Sequence, residues 1–241
     1  MTEKLFCSSD RDFVQVAENY KRIKYNVESA LAKSGRTDNV RIMAVTKTVE
    51  PEKVNFAARL GIDLLGENRV QEFLGKYENY DKKCEIHFIG GLQNNKVKYI
   101  IDKVSMIHSV DSLKLAGEIS GRAQKNGLVM DVLLEVNIAG EETKGGVAPE
   151  MLDELIGQTA ELEGIRLRGL MTIPPPDFNG SSERYFAQMQ RLFTDYQSKL
   201  KNDGRVRFDI LSMGMSRDYE KAIEYGSTIV RIGSSLFGYR K

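Results

Sequence analysis

The sequence predicts a single (β/α)8 TIM barrel of the α/β class over residues 1–241, with an extra N-terminal helix. Three observations predict it. Short β-branched runs alternate with longer amphipathic ones, which implies βαβ units and a parallel sheet. The strand-like runs number eight, and eight such units in about 200 residues suit a closed barrel better than an open sheet. The fingerprint G-x-G-x-x-G, wanted after the first strand of a dinucleotide-binding sheet, is absent there. An open doubly wound sheet is the structural alternative.

The elements follow in order. Phe13, Val14, Val16, Ala17, Tyr20, Ile23, Val27 and Ala30 recur at helical spacing, which predicts a helix over 10–35. The strands are read at 41–46 (RIMAVT), 62–65 (IDLL), 86–89 (IHFI), 106–109 (MIHS), 131–137 (DVLLEVN), 167–172 (LRGLMT), 209–212 (DILS) and 228–232 (TIVRI). Helices are read between them near 51–60, 67–78, 92–101, 111–126, 149–162, 181–202 and 217–225. Asn126-Gly127 and Tyr225-Gly226 suit left-handed caps at helix ends. Pro174-Pro175-Pro176 with Asn179-Gly180 reads as one long loop. The chain contains no low-complexity segment and no linker.

Composition excludes several classes. Lysine plus arginine total 35 against 34 acidic residues, a net charge of +1, so nothing draws the whole surface to nucleic acid or to an anionic membrane. Cys7, Cys84, His87 and His108 have no spacing that suits a structural zinc site, and two cysteines make no disulfide framework. No run approaches the length of a membrane span, and MTEKLFCSSDRDF has no apolar core of a signal peptide. The chain reads as cytoplasmic.

In a barrel the chemistry sits at the C-terminal strand ends, and phosphate commonly binds after strands seven and eight. Alternation along RIMAVTK sets Met43, Val45 and Lys47 on one face. Lys47 is either a strand-end lysine that reaches out to water or a nucleophilic amine of the kind that forms Schiff bases. Glu67 and Asn68 either begin a helix or place Asn68 at the mouth. Leu211-Ser212-Met213-Gly214 and Arg231-Ile232-Gly233-Ser234 are glycine- and hydroxyl-bearing turns at the two strands where barrels bind phosphate. There Ser212, Gly233 and Ser234 offer donors. Arg231, inside an apolar strand, needs an acceptor: a core carboxylate such as Glu135, or a ligand heteroatom. His87 and His108 lie mid-strand, where a hydrogen-bonded core histidine is the ordinary outcome, and no Ser-His-Asp relay is visible. Lys96-Val97-Lys98 and Asp81-Lys82-Lys83 read as solvated faces.

The stretches AVTKTVEPEKV, LLGENRVQE, IHFIGGLQNNK, HSVDSLKLA, LLEVNIAGEETKGGV, RGLMTIPP, LSMGMSRDYEKAIEYGS and VRIGSSLFG carry a family resemblance. Together, in order from about residue 10 to 240, they resemble the YggS/PROSC family, the pyridoxal phosphate homeostasis proteins. The resemblance implies a fold-type III pyridoxal 5'-phosphate (PLP) barrel, like the N-terminal domain of alanine racemase. It implies that Lys47 holds the cofactor as a Schiff base and that Ser212, Gly233 and Ser234 bind its phosphate. It further implies that Arg231 faces the pyridine nitrogen, and that Asn68 and His87 lie in cofactor-side segments.

Three functions follow for comparison. The first is a carrier that holds PLP on Lys47, works in intracellular PLP homeostasis and supplies apo enzymes. The second is a PLP-dependent amino-acid racemase. The third, a structural or nucleic-acid-binding barrel, is disfavoured by the charge balance and by Lys47. Racemisation needs a base on each face of the substrate; alanine racemase takes its second base, a tyrosine, from a C-terminal domain of the partner subunit. Here strand eight ends near residue 232 and only Tyr239 follows, so the carrier is expected. Because the barrel closes on itself, a monomer is expected too.

Overall fold

The computed structural model describes residues 8–175 and 182–238. Cys7, part of the proline-rich loop including Asn179-Gly180, and Tyr239 lie outside the described residues.

The chain runs α1 (Ser8–Lys33), β1 (Arg41–Val45), α2 (Pro51–Arg59), β2 (Leu64–Glu67), α3 (Val70–Lys76), β3 (Glu85–Phe88), β4 (Met106–Val110) and α4 (Leu113–Lys125). It continues through β5 (Met130–Glu135), α5 (Leu152–Ala160), β6 (Ile165–Met171), α6 (Ser182–Lys199), β7 (Val206–Met215), α7 (Tyr219–Glu224), β8 (Ile229–Ile232) and α8 (Ser234–Phe237). The eight strands are parallel and close into a barrel in sequence order. Closure sets β1 beside β8, with Met43 opposite Arg231 and Ala44 opposite Ile232. That pairing positions the site, because it brings the first strand end next to the last.

Alternation divides each strand between two cores. Outward residues such as Ala44, Leu65, Val132, Leu134 and Val230 pack under the helices. Inward residues fill the barrel. Met43, Val45, Leu64, Ile89 and Ile229 form one inner cluster, and Met106, Leu133 and Met171 form another. The N-terminal rim is plugged by charge: Arg168 pairs with Asp209 at 2.8 Å and with Asp131, and Arg41 pairs with Glu85 at 2.6 Å. Helix α1 buries Val16, Ile23, Val27 and Ala30. Asn19 on the same face donates to the Leu236 carbonyl at 2.9 Å, which ties α1 to α8.

Several elements differ from the sequence reading, among them α3, which starts at Val70 rather than 67, and α8, which was not read as a helix. The expected helix at 92–101 is a 3-10 segment, Asn94–Tyr99. Val97 within it and Ile100 just past its end are buried three residues apart, and Asn94-Asn95 gives little helical propensity, so the tighter three-residue turn wins. Strand β2 lies two residues later than 62–65. Strand β7 extends to Met215 rather than ending at Ser212, with a register shift against β8 between Ser212 and Met215. Both expected left-handed caps are present, at Gly127 (φ 67°) and Gly226 (φ 90°). Among the described residues no helix is long and apolar enough to cross a membrane.

Candidate functional site

A cavity of about 690 Å³ opens at the C-terminal end of the barrel. Lys47, Asn68, Arg231, Gly233 and Ser234 line it together with Ser216, Asp218 and Lys144. Val45, Ile89, Ile173, Pro174 and Met215 supply apolar wall. The volume is in the range that encloses one small organic ligand.

Lys47 reaches the cavity because β1 alternates. Met43 and Val45 are buried inside the barrel, so Lys47 continues the inward face one step above them. The chain then turns sharply. Thr48 has φ 59°, a left-handed conformation that is rare for a β-branched residue. Its N–H donates to the Glu72 carboxylate, Glu72 also holds Lys76, and the Val49 N–H closes the turn on the Thr46 carbonyl at 3.0 Å. On the outer side, Glu67 Oε1 accepts from Thr46 Oγ1 at 2.6 Å and from the Tyr80 hydroxyl. Burial pushes the Glu67 carboxyl up, while the two hydroxyls pull it back. Glu67 is thus not the start of a helix. It is the last residue of β2, and it clamps the residue before Lys47 from outside the barrel.

Asn68 follows β2 and faces the cavity. Its backbone is packed against Gly90: a Cβ on Gly90 would sit 2.1 Å from the Asn68 carbonyl oxygen. Gly90→Ala is therefore expected to displace the Asn68 segment, at about 1–3 kcal/mol of overpacking. Thermal unfolding checks this, and an unchanged melting temperature would contradict the packing.

The opposite wall is built by the ends of β7 and β8. The Gly233 N–H donates to Ser216 Oγ at 3.1 Å and the Ser235 N–H donates to the same oxygen at 3.2 Å. Ser235 Oγ donates to the Ser216 carbonyl at 2.9 Å. Two backbone N–H groups thus converge on the Ser216 hydroxyl oxygen at the cavity edge, which leaves its hydrogen as the donor for an anion. Ser216 was not among the residues expected from the sequence. Gly214, read as a turn glycine, lies within β7 at φ 89°, where a Cβ would stand 2.5 Å from Ala222 Cβ. The strand therefore carries on past Ser212, and the mouth is four residues later. A hydroxyl following the second methionine of MGMS was the available signal.

Ser212 itself is fully buried and does not line the cavity. Both its carbonyl and its Oγ accept from Arg231 Nη1, at 2.8 and 2.7 Å. His87 is likewise fully buried, below the mouth, with Nδ1 2.9 Å from His108 Nε2. Ser212 and His87 thus lie inside the barrel and are not among the residues lining the cavity.

Arg231 lines the cavity from β8 and is 3% exposed. Its Nη2 donates to the Thr172 carbonyl at 2.7 Å. Burial lowers its pKa to about 10, opposed by Glu135 and Asp218, so it remains charged at neutral pH. Its hydrogen-bond acceptors are carbonyls and a hydroxyl. Glu135 acts on it only through space, and burial with the neighbouring Asp111 raises the Glu135 carboxyl to about 7.

Comparison with known proteins bears on this geometry. A family model described as the N-terminal domain of alanine racemase matches residues 19–241. A curated protein of Aquifex aeolicus (strain VF5), named pyridoxal phosphate homeostasis protein, is 48% identical over 231 residues, covering 95% of this chain and 100% of its own length. The solved structure of PipY from Synechococcus elongatus PCC7942, with PLP bound, matches at 29% identity and a TM-score of 0.79 over 92% of this chain and 100% of that one. The alanine racemase of Clostridium difficile 630 matches at 20% identity and a TM-score of 0.71, over 92% of this chain but 57% of its own; that likeness is one of fold. The chain belongs to the alanine racemase N-terminal domain family, among the pyridoxal phosphate homeostasis proteins.

Proposed function

We propose that the chain holds pyridoxal 5'-phosphate covalently on Lys47 and serves PLP homeostasis by storing the cofactor and passing it to apo enzymes that use it. One observation carries the reading. A single cavity joins the amine-bearing end of β1 to Ser216, Gly233 and Ser234, where the Gly233 and Ser235 N–H groups converge on Ser216 Oγ. A ligand with an aldehyde at one side and a phosphate at the other fits that donor set. PipY, of the same fold and full-length match, is described with PLP bound.

When bound, PLP supplies an aldehyde carbon that joins amines reversibly. The chain's own groups do the rest. Lys47 presents the amine from a turn fixed by Glu72 and Glu67. Ser216 and Ser234 would hold the phosphate, with the Gly233 and Ser235 N–H groups donating to Ser216 Oγ and so turning its hydroxyl hydrogen outward. Arg231 has donors and no acceptor, so it leaves the pyridine nitrogen unprotonated. A carboxylate there would keep that nitrogen charged and the ring a strong electron sink; an arginine does not. Val45, Ile89 and Met215 keep water from the ring. These choices favour holding the cofactor over demanding carbanion chemistry. The reading includes a monomer working in the cytoplasm, in keeping with a barrel closed on itself.

Ser216→Ala and Ser234→Ala are each expected to weaken PLP binding roughly tenfold, as loss of a charge-assisted hydrogen bond implies. Phosphate-free pyridoxal should bind these variants as it binds the parent. Equal losses for both ligands would remove the phosphate from this wall.

To separate carrier from racemase, the loaded protein is mixed with each L-amino acid in deuterated water, and in parallel with an apo PLP enzyme. The carrier reading expects no exchange at Cα and recovery of the apo enzyme's activity. Rapid exchange with appearance of D-isomer would overturn it.

A further inference from the structure

The barrel interior holds a row of polar groups beneath the cofactor cavity. Arg231 Nη1 donates to Ser212 Oγ at 2.7 Å. Ser212 Oγ lies 3.1 Å from His108 Nδ1, and His108 Nε2 lies 2.9 Å from His87 Nδ1. His87 Nε2 faces Glu85 Oε1 at 3.5 Å, and Glu85 Oε2 holds Arg41 at 2.6 Å. Both histidines and Ser212 are fully buried. The row crosses the barrel from the cavity wall on β8 to the N-terminal rim.

Proton accounting gives it a direction. Glu85 is an ionised acceptor, so His87 Nε2 beside it carries the proton and His87 Nδ1 accepts from His108 Nε2. His108 Nδ1 is then bare and takes the Ser212 hydrogen, while Ser212 Oγ accepts from Arg231. Both rings are neutral and both are Nε2–H tautomers. In this arrangement a proton on His87 Nδ1 would oppose the His108 Nε2–H across 2.9 Å. Burial agrees: it lowers the pKa of both histidines, while His87 and Arg41 hold Glu85 down near 2.

The row ends on Arg231, which lines the cavity. Two Nη1 hydrogens of Arg231 go to Ser212 O and Oγ, and one Nη2 hydrogen goes to Thr172 O. Those bonds fix the guanidinium plane and leave its Nε hydrogen and second Nη2 hydrogen outside them. A serine hydroxyl rotates, so its lone pair faces Arg231 only while its hydrogen is held elsewhere. His108 holds it.

We propose that His87, His108 and Ser212 are positioning residues: a one-way hydrogen-bonded row that locks the Ser212 hydroxyl as an acceptor and so aims Arg231 at the cofactor. What Arg231 is aimed at rests on the PLP reading; the direction of the row does not.

The chain has two histidines in all, so imidazole nitrogen NMR of the whole protein reads the row directly. The charged groups that face the rings are Glu85, Arg41 and Asp131 at His87 and Arg231 at His108. With and without cofactor, both rings should show bare Nδ1 and protonated Nε2, unchanged from pH 8 to about 5.5, well below an ordinary histidine pKa. An imidazolium at pH 7, or an Nδ1–H tautomer in either ring, would overturn the row.

Its function is read by His108→Phe, which frees the serine hydroxyl, and His108→Asn, whose side-chain oxygen accepts from it. His108→Phe should weaken PLP and phosphate-free pyridoxal alike, by about tenfold, and His108→Asn should restore most of the affinity. In an Arg231→Lys background the His108→Phe loss should vanish. A folded His108→Phe with parental affinity, or the same loss in both backgrounds, would refute the positioning role. If the parent failed to attach PLP at Lys47, the function proposed above would fall, while the ring spectra would still decide the row.

Discussion

Lys47→Ala is expected to abolish covalent retention of PLP, with the cofactor lost on gel filtration and affinity reduced roughly 100-fold or more, equivalent to about 2.8 kcal/mol. The fold should persist. Lys47 sits at the barrel mouth, and the turn around it is held by groups other than its side chain: Thr46 by Glu67, Thr48 by Glu72, Val49 by the Thr46 carbonyl. Residual binding should still discriminate PLP from pyridoxal, because the Gly233–Ser235 wall is untouched. Absorbance titration with both ligands checks this. Parental affinity in the variant would mean that the amine contributes nothing and that the cavity is used differently.

Arg231→Met is expected to cost more in stability than any substitution at the mouth. It removes the donor from Ser212 Oγ and Thr172 O, and one of the two donors to Ser212 O, which keeps the Thr172 N–H at 3.2 Å. Unmade bonds to buried acceptors imply about 3 kcal/mol or more. For a chain of this size that is a fall in melting temperature of about 6–12 °C. A second readout follows from charge. Arg231 lowers the Glu135 carboxyl, whose pKa is already raised to about 7 by burial and Asp111. Without the arginine that pKa should move higher still. The sign for stability is as follows: a carboxyl whose folded pKa lies above its unfolded value binds its proton more readily in the native state. Its contribution therefore favours folding at low pH and is lost as pH rises through the folded pKa. The variant should thus lose additional stability as pH rises beyond 7, more steeply than the parent. A melting temperature and a pH profile equal to the parent's would contradict the bonding described for Arg231.

The fold was legible because eight strands announced themselves by β-branched runs, and because barrel closure follows from their number and spacing. Lys47 was legible for the same reason: strict alternation carries the inward face of Met43 and Val45 to the next odd position. Gly233 and Ser234 followed from the rule that phosphate binds after strand eight. Where the reading slipped, a strand end was misjudged. Gly214 looked like the close of β7, but its positive φ is spent inside the strand, against Ala222, and the mouth moved from Ser212 to Ser216. His87 lies in the barrel interior, as its place on the inward face of β3 directs. The row from Arg231 to Glu85 could not be read from the sequence at all. Its members come from β3, β4, β7 and β8, and only closure of the barrel brings them together, hydrogen-bonded from Arg231 to His87 and with Glu85 3.5 Å from His87.

The account turns on which lysine meets the cofactor. Among the described residues two lysines line the cavity, Lys47 from the end of β1 and Lys144 from the segment after β5, where it pairs with Glu141. The parent protein is loaded with PLP, reduced with borohydride and digested, and the modified peptide is sequenced by mass spectrometry. The account predicts the label on Lys47, in the peptide carrying Val45 and Thr46, at close to one per chain. A label on Lys144, or labels scattered over surface lysines, would contradict it.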